Sequence, residues 1–446
     1  MKLNNKGFAI SGIIYALMFL FIILIFATLG LLGSRKIVLD KYKQEVIQEI
    51  ENSDILSNAG KVDRSGASTP VLAPSMIPVV YNGTNFVKAQ YISDYDQDWY
   101  NYGEQKWANA VIIKPSVRSN YNNISDGQVI NQNDILAYYV WIPRYRYKLF
   151  NADYNVLNSS PQMIEIIFEG TEEQKSLGTL NNEYLTHPAF TFGNQEISGF
   201  WFGKFETTGT IDSISVLPNQ TPIVNQSVKV MFDSVKNNTT NFGVGNSDMH
   251  MSKNSEWAAV SYLSHSIYGQ GNVEIRKNAF NQSGIKTGCG SNTTSNAPRT
   301  AGCEMGFLTT TTYPQSTTGD ITGVFDMSGG SWEYVMAVML DQTGKPQVGS
   351  SGFTDSTLPN VKYYDTYSYV ADMNNSNTYK SGTLGSATKE TWGWYSDRTY
   401  FVQNNYSWQF RGGCRNDQDD VGIFAFSNKA GEADGSISFR TTIVVN

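Results

Sequence analysis

Residues 323–335 read GVFDMSGGSWEYV. The run is turn chemistry followed by a core residue. Asp326 and Ser328 carry side-chain oxygens able to bond nearby backbone amides, and Gly329 and Gly330 accept the positive φ angles of a tight bend. Trp332 then supplies a large core side chain, and Glu333 is expected to bond nearby backbone. Three other stretches share this scaffold character. FWFGKFETTG (200–209) is an aromatic strand, and KNSEWAAVSYLS (253–264) is a helix with an acidic first turn. FRGGCR (410–415) is a strand leaving a tight bend, followed by SFR (438–440) in the last strand. Arg440 stands among apolar residues there and requires a carboxylate or carbonyl partner.

In this order the four stretches resemble the sulfatase-modifying factor family, the group that includes formylglycine-generating enzyme. The family shows an early strand ending Glu-Val-Thr, a helix opened by Thr-Glu-x-Glu-Trp, a Gly-Leu-Tyr-Asp-Met-Ser-Gly-Asn-Val-Trp-Glu-Trp run, and closing Arg-Gly-Gly-Ser and Gly-Phe-Arg. The resemblance covers residues 134–446 and implies an α+β domain of C-type lectin fold. It also implies where an oxidase would carry its copper-binding cysteine pair. Aligned on Gly412-Gly413, those positions are Asp417 and Gly422, while Cys414 stands alone at the family's serine position. Without a thiolate pair there is no soft-metal site, and the closing segment has none of the clustered histidines an iron enzyme needs. The expectation is a non-catalytic protein with no catalytic residues and no cofactor.

Working toward the N-terminus, no charge occurs between Lys6 and Arg35. The apolar run Phe8–Leu32 exceeds the roughly 20 residues of a spanning helix, and predicts a single-pass membrane anchor. The start is similar to a prepilin leader, with cleavage expected between Gly7 and Phe8. The glutamate that such leaders carry five residues after the cut is Gly12 here. Counted on basic residues, with Arg35, Lys36, Lys41 and Lys43 after the span, the C-terminal side would stay inside. The leader and the polar composition of the remainder favour an extracellular ectodomain. Residues 1–54 are expected to form leader, spanning helix and stalk, and 55–75 a linker. Residues 76–115 read as a small β-hairpin unit, with Asn82-Gly83 as turn and Trp99 and Trp107 in its core. An aromatic pair there also suits sugar binding, although core packing is the plainer reading. A polar linker over 116–133 precedes the main domain.

Charged residues make up 16% of the 446, the net charge is −7, and hydrophobic residues make up 40%. That balance excludes a nucleic-acid surface and a disordered chain. His187, His250 and His265 are too scattered for a metal site. Cys289 and Cys303 bracket a Gly-Ser-Asn-Thr loop and predict a disulfide in an exported protein. The closing segment supplies the candidate binding face. Arg415, Asn416, Asp417, Gln418, Asp419 and Asp420 precede an apolar strand, and Asn428, Lys429, Glu432 and Asp434 follow it; Asn404, Tyr406 and Trp408 complete the surface. Asp417, Asp419 and Asp420 suit a structural calcium ion as well as a solvated loop. The function expected is a lectin-like or adhesin-like surface protein that takes a glycan or protein ligand. A minor pilin or secretion-machinery component in a pilin-like assembly is the alternative, and a sulfatase-modifying oxidase comes third.

Overall fold

The computed structural model describes residues 41, 63, 65–89, 99–152, 160–277, 289–290, 302–303, 313–371, 382–414, 417 and 421–445. The chain divides into two compact units, Met1–Asp54 and Ile55–Asn446. The expected anchor Phe8–Leu32, the cleavage at Gly7-Phe8 and the stalk lie outside the described residues. Among the described residues, no helix is long and apolar enough to cross a membrane.

The two largest of six sheets among the described residues organise the second unit. The first contains Met76–Tyr81 (β1), Phe86–Lys88 (β2), Asn109–Ile113 (β3), Ile135–Pro143 (β4), Gly199–Gly203 (β5), Asp248–Met251 (β6) and Thr441–Val444 (β12). It is seven-stranded in the order β6-β12-β5-β4-β3-β1-β2, and every pairing is antiparallel. The second contains Trp332–Met339 (β7), Asp365–Tyr367 (β8), Trp408–Gly412 (β9), Gly422–Lys429 (β10) and Ile437–Phe439 (β11). Its order is β8-β7-β9-β10, with β11 alongside β7. The sequence ILAYYVWIP of β4 explains its central place, because β-branched and aromatic side chains suit a strand covered on both faces.

Three α-helices occur among the described residues: Val228–Asn237 (α1), Thr239–Phe242 (α2) and Asn254–Ser264 (α3). Helix α3 opens on a box in which the Glu256 side chain takes the Lys253 backbone N–H, and all of its residues are buried. The α+β expectation is therefore corrected. The described residues form a mainly β body instead of a lectin-type α+β domain preceded by a spanning helix. The density of aromatic and β-branched residues leaves only short stretches to helix.

The small β unit expected at 76–115 is also corrected, because its strands are the continuation of the main sheet: β3 pairs with β4 from Asn109↔Val140 to Ile113↔Ile135. Both expected linkers pack against that sheet. Trp141 donates its indole N–H to Ser68 O (3.2 Å) and Trp201 to Val71 O (2.7 Å), so the backbone at 68–71 is held at the ring edges. Residues 127–130 cover the outer edge of β2 through Lys88 N to Gln128 O and Ile130 N to Phe86 O, each 2.9 Å. A covered edge offers no template for a further strand.

Candidate functional site

The four scaffold stretches meet where the chain crosses from β11 in one sheet to β12 in the other. Arg440 is the residue at that crossing. Its guanidinium takes Glu333 of β7 with both nitrogens (Nη2–Oε1 2.6 Å, Nε–Oε2 3.0 Å), Gly203 O of β5 at 2.8 Å and Phe325 O at 3.1 Å. One side chain thus ties the two sheets together. Glu206 accepts the Ser331 N–H at 2.9 Å, and a Cβ at Gly330 would lie 2.9 Å from its second oxygen. Burial, and then the Glu333 and Asp326 carboxylates, hold Glu206 well above the usual carboxylate range. Burial raises Asp326 to about 6 against the pull of Arg440. Asp326 itself has a φ of 61°, so the bend places an aspartate as well as Gly329 and Gly330 in the left-handed region. Arg411 gives both terminal nitrogens to Ala387 O at 3.1 Å. Arg440 and Glu333 are spent on each other and hold the fold, whereas Glu206 Oε2 and Arg411 Nε are buried with no hydrogen bond from a described residue.

The closing segment is not one surface. In the β9–β10 hairpin Trp408 faces Lys429 at one end, and Gly412 faces Gly422 at the other. The two ends lie roughly 13 Å apart at strand spacing. Asp417 belongs to the Gly412 end, where its carboxylate caps the Cys414 N–H at 3.1 Å. Arg415, Asn416, Gln418, Asp419 and Asp420 lie outside the described residues, and with them most of the expected ion site. At the opposite end Lys429 pairs with Asp434 and reaches Glu432 at 4.0 Å. Asn428 gives its amide to Phe401 O. Asn404 and Tyr406 sit in the turn closed by Gln403 and Tyr406, and Tyr406 is 48% exposed. Trp408 leaves the expected face altogether. It is fully buried, donates to Val348 O at 3.0 Å and stacks on Phe353.

Where the resembled family carries its cysteine pair, Gly422 is packed so tightly that a Cβ would run into the Asp397 carboxylate. Cys414 is buried. Cys289 and Cys303 are Cα partners in a short antiparallel ladder, at the roughly 4.5–5.5 Å spacing a disulfide bridges. Burial pushes His187 and His265 down to about 3, which leaves both neutral.

A different feature has the shape of a binding site. A cleft of about 310 Å³ runs between β1–β3 and the 320–322 turn. Tyr81, Phe86, Trp99 and Trp107 line it, with Lys106 and Asp320 as its charged groups. The indole N–H groups are committed to the protein, Trp99 to Asn109 O and Trp107 to Tyr268 O, each at 2.7 Å. Trp107 is fully buried and Trp99 and Phe86 nearly so, and the ring most open to the cleft is that of Tyr81. Asp320 Oδ1 is held by Thr318 Oγ1 (2.6 Å), Thr322 N and Thr322 Oγ1 (both 2.7 Å). Its Oδ2 accepts no hydrogen bond from a described residue, so an oriented carboxylate presents one open acceptor beside aromatic rings. Cleft volume and composition match a small-ligand site. The tryptophans were visible in the sequence as a hairpin core. Asp320, in the turn Thr318-Gly319-Asp320-Ile321, carried no signal beyond turn chemistry.

No protein-family model matches this chain, and no curated protein matches it in sequence.

Proposed function

We propose that this protein is a non-catalytic binding protein that takes a saccharide in the cleft between β1–β3 and the 320–322 turn. The observation that carries the reading is the meeting of aromatic rings with the open oxygen of Asp320. A sugar ring offers an apolar face to an aromatic ring and hydroxyl donors to a carboxylate, and Tyr81 and Asp320 supply the two complements. The fixed orientation of Asp320 keeps its acceptor ready before the ligand arrives, which lowers the ordering cost of binding. The crowding at Gly422 supports the absence of oxidase chemistry, because a thiol there has no room.

The site works at the cell surface, where free glycans and glycan-coated partners are met. The facing backbones of Cys289 and Cys303 support that location, since cross-linked cysteines persist in oxidising compartments. The test is a titration of the full chain with a saccharide panel, read by tryptophan fluorescence. Saturable binding that weakens in Asp320→Asn is the expected result. A panel without a binder, or a binder indifferent to Asp320, overturns the assignment.

A further inference from the structure

Asn82-Gly83, in the turn that joins β1 to β2, is exposed and stands next to Tyr81, the ring most open to the cleft. It is the one Asn-Gly pair in the sequence. Asn82 Oδ1 accepts the backbone N–H of Thr84 at 3.0 Å and of Asn85 at 2.9 Å. Asn82 N donates to Asn85 O at 3.0 Å, which fixes the residue from its other side. Neither Asn82 Nδ2 nor the Gly83 N–H bonds to a described residue. Gly83 has a φ of 94°, and a Cβ there would meet nothing within 4 Å.

This arrangement places an unencumbered backbone nitrogen beside a polarised carboxamide carbon. The two N–H groups on Oδ1 draw electrons from Cγ, and they stay in place as that oxygen gains charge during attack. Glycine puts no side chain in the way of ring closure. We propose that Asn82 is a site of self-modification, where the chain converts asparagine to aspartate and iso-aspartate through a succinimide. Hydroxide removes the Gly83 amide proton, the bond from Gly83 N to Asn82 Cγ forms, and the Cγ–Nδ2 bond breaks. Nδ2 takes a proton from water and leaves as ammonia, which restores the hydroxide. Water then opens the ring. Breaking the N–Cγ bond gives aspartate, and breaking the bond from N to the Asn82 carbonyl carbon gives iso-aspartate. The sequence is redox-neutral, and water is its co-reactant. Both products put a carboxylate in place of the carboxamide. Iso-aspartate also adds one carbon to the main chain and turns Oδ1 into a backbone oxygen, beside the Tyr81↔Phe86 pair that closes the hairpin. The modification therefore brings negative charge and slack to the cleft that Tyr81 and Asp320 line.

Peptide mapping of the full chain after timed incubation tests this without any ligand, so its outcome is independent of the saccharide assignment. Asn85 is the internal control, because Phe86 after it is 2% exposed and held in the ladder. The tryptic peptide 65–88 should gain about 1 Da in two forms that separate on a column, with the gain at Asn82 and none at Asn85. The rate should rise at least about tenfold between pH 6 and pH 8, because the attacking species is the deprotonated amide. A peptide that keeps its mass, or a rate that does not rise with pH, overturns the proposal. A synthetic 65–88 peptide gives the rate without the fold. The folded chain should match or exceed it. A folded rate about tenfold lower shows that the turn protects Asn82, and overturns the assignment as well. No variant has to fold for any of these readings.

Discussion

The Arg440 corner and the cleft beside Trp107 both place charge among aromatic rings, and they do so to opposite ends. At the corner Arg440 spends its hydrogen bonds on Glu333, Gly203 and Phe325, and both ionic partners are 1% exposed. In the cleft the Asp320 carboxylate is tied by one oxygen only, and it borders a cavity of about 310 Å³. A polar group whose bonds are all made inside the protein can stabilise a fold but has nothing left for a ligand. A polar group held in place with bonding capacity left over can do the reverse. The contrast separates scaffold from site here better than conspicuous sequence motifs do, because Arg440 and Glu333, both conspicuous in the motifs, are spent on each other.

The largest expected effect breaks the corner. Arg440→Met should cost about 3–5 kcal/mol in a urea titration, since it leaves Glu333 and Glu206 buried without their cation. A loss below about 1 kcal/mol would place the tie between the sheets elsewhere. Asp320→Asn, the matching change in the cleft, should weaken saccharide affinity about 10- to 100-fold, the range for a charged hydrogen bond. Its melting temperature should hardly move.

A pH titration sharpens the comparison further. Asp326 binds its proton more tightly in the fold, at about 6 against an ordinary 3.8. Its contribution is fully present below the ordinary value and is lost as pH rises through about 6. Glu206, also raised, continues the loss above that. Relative to Asp326→Asn, in which asparagine tolerates the left-handed φ, the wild type should lose stability as pH rises to about 6. An unchanged slope in the variant would move the titration to other carboxyls, of which Asp397, raised to about 8 by burial, is the next to examine. The smallest effect belongs to the closing segment. Tyr406→Ala should change stability by less than about 0.5 kcal/mol and leave saccharide affinity unaltered. A loss of affinity there would return the binding face to the β9–β10 hairpin.

Much of the scaffold was legible in the sequence, and the site was legible only in part. The bend at 326–330, the core place of Trp332 and the helix that contains Glu256 were all readable from a few consecutive residues. The need of Arg440 for a carboxylate was readable too, but not that Glu333 would meet it. Trp99 and Trp107 were seen as a hairpin core, whereas the strand pairing that makes them a cleft wall was not. Small residues at 65–73 suggested a linker, because flexibility and close backbone approach to an indole N–H call for the same residue types. The α+β expectation erred for a related reason: local preference does not say how many strands a sheet will recruit from distant parts of the chain.

Turns, caps and strand character depend on dihedral preferences and side-chain contacts within a few residues, so the sequence alone determined them. The pairing of Arg440 with Glu333, 107 positions away, and the meeting of Trp107 with Thr322, 215 positions away, depend on strand order. Strand order is settled by which faces can be buried together. Only the tertiary structure decided it, because the free energy that chooses among pairings comes from the whole packed core and from no segment of it.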